Sequence, residues 1–328
     1  MTTQEFMQVL EKHRGERHIV VLHAYPDPDA IACAFAHRLI SADLGIEVDV
    51  VYEGKISHQQ NIALVRVLGM DLIEYNQEVD LSRYQGAIFV DNQGGTVPRI
   101  VEALQEAEVP VILVVDHHEP QDRLEPEFSD IRQVGATATI YTGYLEEGAI
   151  QMDTARKDHV LAATAMMHGI LSDTEGFIRA GAQDLQAAAF LARYRDAEAL
   201  EQVLSQARSK RAMDVIRRAL GDRVIAESFS IAGIGFLRAE DRDAIPQAAD
   251  FLLSEENVHT AIVYGIVRGD DGQERLVGSL RTAKFTLDPD GFIKEVFGKG
   301  IEGHWFGGGR DSAGGFSIPI GFLSGDHG

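Results

Sequence analysis

HIVVLHAYPDPDA, residues 18–30, joins an unbroken apolar, β-branched run to a break rich in proline and aspartate, beyond which an alanine-rich stretch runs to Leu44. The run reads as a strand buried on both faces, and the stretch after the break reads as a helix. The same alternation returns downstream. Further apolar runs lie at Ile46–Tyr52, Gly86–Asp91 (GAIFVD) and Pro110–Asp116 (PVILVVD), with helix-like segments at His58–Leu68 and Val97–Glu106 between them. Near-continuous apolar strands separated by helices predict an α/β fold, a parallel sheet flanked by helices.

Helical segments are expected over 136–149, 155–171 and 183–195, which closes a first domain at residue 195. Asp196–Leu220 has helical periodicity and many charges. It is taken as a connecting helix over 196–222, although one more helix of the first domain fits it equally. After Gly221 the pattern changes to strand-like Arg223–Leu237, Thr260–Val267 and Arg275–Thr282, with helix-like Ala244–Ser254 and Gly291–Phe297 between and after them. A smaller mixed α+β C-terminal domain over 223–328 is expected.

The 328 residues suffice for two such cores. The single cysteine, Cys33, rules out a disulfide framework and fits a reducing compartment. No apolar run reaches the roughly 20 residues that cross a bilayer, and the start lacks a signal-peptide core, so a cytoplasmic protein without a membrane partner is expected. The formal net charge of -21 argues against gripping a long polyphosphate backbone. Residues 1–189 carry 30 Asp and Glu against 13 Lys and Arg, so most of that charge lies in the first domain.

The chemistry sits where the strands stop. The first run ends in His23 and leads to Asp27 and Asp29, the third ends in Asp91, and the fourth ends in Asp116-His117-His118. Asp173 follows the apolar helix Leu161–Leu171 in the turn Ser172-Asp173-Thr174. In an open α/β sheet, ligands bind beyond the carboxyl ends of the strands. An aspartate at a strand end is by itself commonly a turn residue, and Asp29 also suits a cap on the helix beginning at Ala30. Taken in order, however, these residues would gather carboxylates and imidazoles in one crevice. Crowded carboxylates cannot all stay ionised cheaply unless divalent cations relieve them. A donor set dominated by carboxylate suits Mn²⁺ or Mg²⁺, and two such ions ~3.5–4 Å apart can activate a water against a phosphoryl group.

These motifs, H-x3-D-x-D over 23–29, FVD over 89–91, VVDHH over 114–118 and LSDT over 171–174, resemble those of the DHH-family phosphoesterases. That group includes RecJ-type nucleases, nanoRNases and family II pyrophosphatases. FGGGRDSAGG over 306–315 resembles the glycine motif of the C-terminal domain associated with them. Length and layout are most similar to nanoRNase/pAp-phosphatase enzymes. The resemblance implies two Mn²⁺ ions, with Mg²⁺ or Co²⁺ as substitutes. His23 and Asp27 would hold one ion, and Asp29, His117 and Asp173 the other, with Asp91 shared. Asp116 would orient a histidine, His118 would face the scissile phosphate, and a water activated by the two metals would attack.

For the second domain the resemblance implies substrate contacts from Ser279, Arg281, Gly307, Gly308, Gly309 and Arg310. An exposed strand-end arginine and a tight glycine turn are the plainer readings of these positions. Arg310 stands where the family pattern has histidine; arginine is larger and permanently charged, so it could donate a hydrogen bond to phosphate but not act as the proton donor. The implied activity is hydrolysis of short oligonucleotides, dinucleotides or nucleotide phosphates. Pyrophosphate or polyphosphate hydrolysis and a non-catalytic nucleotide-binding regulator are the alternatives. The expected partner is a short nucleotide, not a long nucleic acid, and a homodimer through first-domain helices is the expected assembly.

Overall fold

The computed structural model describes residues 3–323 apart from 55, 57, 77, 207, 270, 271, 301, 302 and 311. The chain divides into two units, Met1–Gln206 and Ala207–Gly328. Among the described residues, no helix is long and apolar enough to cross a membrane.

The first unit is built on a six-stranded sheet: β1 (Arg17–Val21), β2 (Glu47–Tyr52), β3 (Leu72–Glu74), β4 (Gly86–Val90), β5 (Val111–Asp116) and β6 (Phe128–Ile131). All pairings are parallel, in the order β3-β2-β1-β4-β5-β6. Its helices are α1 (Thr3–Lys12), α2 (Pro28–Asp43), α3 (Gln59–Leu68), α4 (Pro98–Glu106), α5 (Thr137–Glu146), α6 (Lys157–Asp173), α7 (Ala182–Leu191) and α8 (Ala197–Leu204). Alternate residues of β1 serve two cores. Val20 and Leu22 join the cluster of Phe6, Ile31 and Tyr141, whereas Ile19 and Val21 face Phe89, Ile100 and Leu104. Burial on both faces explains why the strands read as continuous apolar runs.

The chain lays β2 and β3 on one side of β1 and β4, β5 and β6 on the other. That reversal opens a crevice beyond the carboxyl ends of β1 and β4. Helix α2 is the element most enclosed there. Every residue from Pro28 to His37 is buried, and the small side chains of Ala30, Ala32, Cys33, Ala34 and Ala36 let it lie closely against α6.

The second unit has α9 (Lys210–Asp222), β7 (Val224–Ala226), β8 (Phe229–Leu237), α10 (Ala244–Leu253), β9 (Thr260–Arg268), β10 (Glu274–Thr282), α11 (Pro289–Phe297), β11 (Gly307–Arg310), β12 (Ala313–Pro319) and α12 (Ile320–Leu323). The sheet order is β11-β12-β10-β9-β8-β7. Only the β8–β9 pairing is parallel among the described strands, so the sheet is mixed. Helices α9 and α10 pack with Ile234 and Val263 on one face, and Ile293 of α11 packs with Leu280 and Phe316 on the other.

Three features differ from the sequence expectation. The 196–222 stretch is two helices, because Asp196 caps α8 and Ser209 caps α9, each accepting a backbone N–H of its helix. Short β3 and β6 extend the sheet at its edges. The glycine motif, read as a loop or turn, forms the hairpin β11–β12; Asp311 within it lies outside the described residues.

Candidate metal centre

Pro28 occupies the first turn of α2, and Asp27 caps that helix by accepting the Ala30 N–H at 3.0 Å. The capping role considered for Asp29 therefore belongs to Asp27. Asp29 is instead buried in the first turn of α2. Its Oδ2 accepts the Thr137 N–H at 2.6 Å and its Oδ1 the Ala138 N–H at 2.9 Å, both at the start of α5. Gly169 of α6 makes this fit possible. A Cβ there would stand 2.8 Å from Asp29 Oδ1 and 3.0 Å from its Cα.

Asp91 follows β4 with φ at +56°, a left-handed conformation that aspartate tolerates better than most residues. The turn brings one carboxylate oxygen toward each neighbouring imidazole. Oδ2 lies 3.5 Å from His23 Nε2, and Oδ1 lies 3.5 Å from His117 Nε2. Thr137 Oγ1 donates to Oδ1 at 2.9 Å. His23 Nε2 is also 3.6 Å from Asp27 Oδ1, and His117 Nε2 is 3.4 Å from Asp173 Oδ2. Ligand atoms of His23, Asp27 and Asp91 all lie within 4.8 Å of one another, as do those of Asp29, His117 and Asp173. Asp173 is the last residue of α6, which runs two residues past the Leu171 end read from the sequence.

The histidine tautomers are fixed by groups that can only accept. His23 Nδ1 donates to the Ala24 carbonyl at 2.9 Å and His117 Nδ1 to the Val134 carbonyl at 3.1 Å. Each therefore presents a bare Nε2 to the carboxylates when neutral, the arrangement typical of a ligating imidazole. His118 Nδ1 donates to Asp116 Oδ1 at 2.8 Å, leaving Nε2 of this partly exposed ring for another partner. The same Asp116 oxygen accepts the His117 N–H at 2.8 Å. Its other oxygen accepts Gln93 Nε2 at 2.7 Å. Gln93 Oε1 in turn accepts the Gln121 N–H at 2.6 Å, so the loop after β5 is tied to the loop after β4.

The charges in this pocket oppose one another. Burial, followed by the nearby Asp27 charge, pushes the Asp29 carboxyl well above the usual range. Asp91 is likewise raised, by burial and by the charges of Asp29, Asp27 and Asp173. Desolvation works against Asp27 too, but the His23 hydrogen bond and charge, with the Ala30 and Asp29 amides, hold it low. For Asp116 the same opposition is resolved by His118 and Gln93, which keep it below the ordinary value. Two buried carboxyls that resist ionisation beside imidazoles whose Nδ1 atoms are committed to carbonyls are what divalent cations would stabilise as charged ligands. The donor chemistry fits Mn²⁺ or Mg²⁺.

Sequence reasoning missed Thr137, Gln93 and Gly169. Thr137 and Gln93 give no spacing signal. A glycine inside the otherwise helical Leu161–Leu171 pattern was the visible hint at Gly169, since such a glycine costs helix stability unless something approaches it.

The second unit brings together only part of its expected set. A cleft of about 450 Å³ is lined by Arg242, Ser279, Arg281, Gly307, Gly314 and Phe316, among others. Arg281 Nε already donates to Asp250 Oδ1 at 2.7 Å, and its Nη1 to Ser279 Oγ at 2.9 Å. Gly308 and Gly309 pair with Gly315 and Gly314 in the hairpin. The Gly309 N–H is taken by Asp290 Oδ1 at 3.1 Å, and a Cβ on Gly309 would meet Pro289 Cβ at 2.8 Å. These two glycines let α11 rest on the hairpin and do not line the cleft. Arg310 is exposed at the end of β11.

Residues 17–170 match the DHH family, N-terminal domain. The chain is 34% identical over 321 residues to an uncharacterised protein of Methanocaldococcus jannaschii, covering 96% of this chain and 61% of that one. It is 29% identical over 197 residues to a probable manganese-dependent inorganic pyrophosphatase of Bacillus cereus, covering 56% and 57% respectively. The chain thus spans about three fifths of the length of these curated relatives. Its fold is similar to an exopolyphosphatase-related protein from Bacteroides fragilis, with a TM-score of 0.72, 15% identity and 96% and 90% of the two chains covered. RecJ from Thermus thermophilus in complex with Mn²⁺ gives a TM-score of 0.52 at 13% identity, covering 99% of this chain and 53% of that one.

Proposed function

We propose, from the match of residues 17–170 to the DHH family, N-terminal domain, that this protein is a divalent-metal-dependent phosphoesterase acting on short oligonucleotides, dinucleotides or nucleotide phosphates. The observation that carries the reading is the pair of three-residue donor groups meeting at Asp91, whose two oxygens face His23 and His117. His23, Asp27 and Asp91 would hold one ion, and Asp29, His117 and Asp173 the other, with Asp91 between them. Two such cations would supply Lewis-acid charge for a phosphoryl oxygen and lower the pKa of a water.

The protein's own groups do the positioning. Asp29 is clamped by the α5 amides, and Asp91 by Thr137, so neither carboxylate needs to reorganise when ligand arrives. Asp116 and Gln93 hold His118 through Nδ1, leaving Nε2 to face a phosphate oxygen, as a hydrogen-bond donor or the acid for the departing oxygen. The first unit's acidic surface disfavours long polyanions, which supports a short substrate. In the second unit, Arg281 and Ser279 offer donors for a substrate phosphate, and engaging them fully requires Arg281 to exchange its Asp250 contact.

Pyrophosphate hydrolysis is the second reading, favoured by the match to pyrophosphatases over about half of the chain. The purified protein with Mn²⁺ is offered a 5'-labelled diribonucleotide, 3'-phosphoadenosine 5'-phosphate and pyrophosphate. Release of mononucleotide or adenosine monophosphate is expected. Phosphate from pyrophosphate alone would establish the second reading. Tight nucleotide binding without turnover would make the protein a regulator.

A further inference from the structure

Strand β1 has histidines near both ends. His23, beyond its carboxyl end, belongs to the centre described above; His18, near its start, belongs to a separate group. Five residues of extended chain place the two about 17 Å apart. At the far end, His13 lies in the turn after α1 and Glu16 precedes the strand. His13 Nδ1 is 2.8 Å from Glu16 Oε2, and His18 Nε2 is 3.1 Å from the same oxygen. Glu127, just before β6, places Oε1 3.2 Å from His13 Nε2. Ligand atoms of His13, Glu16 and His18 all lie within 4.8 Å of one another.

We propose that His13, Glu16 and His18 form a binding site for one zinc-type transition-metal cation, with Glu127 orienting His13. Four observations support this. Two imidazoles and one carboxylate make a donor set richer in nitrogen than the carboxylate-dominated centre, and that composition favours Zn²⁺ over Mn²⁺ or Mg²⁺. Ligands ~2.0–2.1 Å from a tetrahedral ion lie ~3.3 Å from one another, so nitrogen–oxygen separations of 2.8 and 3.1 Å need only a few tenths of an ångström of relaxation. Glu127 on the far nitrogen of His13 reproduces the carboxylate–histidine–metal arrangement that fixes ring orientation. His18 is fully buried, and its Nδ1 has no hydrogen-bond partner among the described residues, so the ring is held by packing with Nε2 aimed at Glu16.

Without a cation, protons fill this site: both ring nitrogens must donate, because a carboxylate oxygen only accepts. Metal binding releases the proton on His13 Nδ1. It moves the His18 proton from Nε2 to Nδ1, which changes that buried nitrogen from an unpartnered acceptor to an unpartnered donor. One proton is set free, and water completes the coordination. The ion would pin the α1–β1 turn to the amino end of β1, with no part in the chemistry at the other end of that strand.

The test uses full-length protein and Co²⁺, whose tetrahedral complexes absorb visible light strongly. An Asp91→Asn variant, impaired at the first centre, is expected to retain one Co²⁺ with an intense visible band, displaced by Zn²⁺. Adding His13→Ala or Glu16→Gln to that variant should weaken binding at least ~100-fold, and Glu127→Gln about 10-fold. In the otherwise native chain, His13→Ala should leave Mn²⁺-dependent hydrolysis unchanged. Absence of the band from Asp91→Asn, or its persistence in the His13→Ala double variant, overturns the proposal. Neither result bears on the hydrolytic assay, so the two readings fail separately.

Discussion

The crevice beyond β1 and β4 and the glycine hairpin of the second unit both carry sequence motifs, yet their polar groups are committed differently. In the crevice, backbone amides, carbonyls and Gln93 hold His23, His117, Asp29 and Asp116 in place, and the Nε2 atoms of His23 and His117 converge on Asp91. In the hairpin region, the groups expected to meet an anion are engaged within the protein, Arg281 by Asp250 and the Gly309 amide by Asp290. The first is preorganised for a ligand that brings positive charge. The second must exchange an internal partner before it can hold a negative one.

The largest effect expected from this contrast is at Asp91. Asp91→Asn should lower hydrolysis by at least ~10³-fold, with circular dichroism unchanged and reduced Mn²⁺ binding by calorimetry. Full activity in that variant would break the comparison at its centre. Gln93→Leu, which leaves every proposed ligand in place, should cost ~10–100-fold in kcat, measured at saturating substrate, by freeing Asp116 and His118. Gly309→Ala should destabilise the second unit by about 1–3 kcal/mol, read from urea unfolding, because α11 must move off the hairpin. Mn²⁺ binding should not change with it; a loss would mean that the glycines serve the metal centre after all.

The effect that is smallest near neutral pH concerns acid. His37 is buried against Tyr141 Oη at 3.1 Å, and desolvation pushes it down to about 3. Since its folded pKa lies below the unfolded value near 6.5, the unfolded chain takes up the proton first. Its contribution is therefore intact above about pH 6.5 and is lost as pH falls toward the folded value. Wild-type stability should decline relative to His37→Gln by approaching ~1.4 kcal/mol per pH unit below pH 6, followed by urea midpoints. A pH-independent difference would show that His37 is not held neutral.

The strands of the crevice were legible because doubly buried parallel strands must be apolar throughout, so their ends stand out where His23, Asp91 and Asp116 begin. Asp27, Asp29 and Asp173 were legible from their order after the first strand and the apolar helix. What held them was not: Thr137 and Gln93 act through a few hydrogen bonds to partners distant in sequence, and such bonds leave no spacing signal. The β11–β12 hairpin hid behind its glycines, which lack the side-chain alternation that marks a strand. The break between α8 and α9 was obscured because both halves are charged and helical, and only the caps Asp196 and Ser209 distinguish two helices from one.

Asp29 meets Thr137 and Ala138 across 108 and 109 residues of chain. Closing so long a loop costs entropy before any contact rewards it, and the rate of folding suffers accordingly. The crevice therefore cannot exist on a partly synthesised or partly collapsed chain. Until α5 has emerged and docked, Asp29 lacks the two amides that hold it, and a cation would be held by the full donor set only when the N-terminal unit is in place.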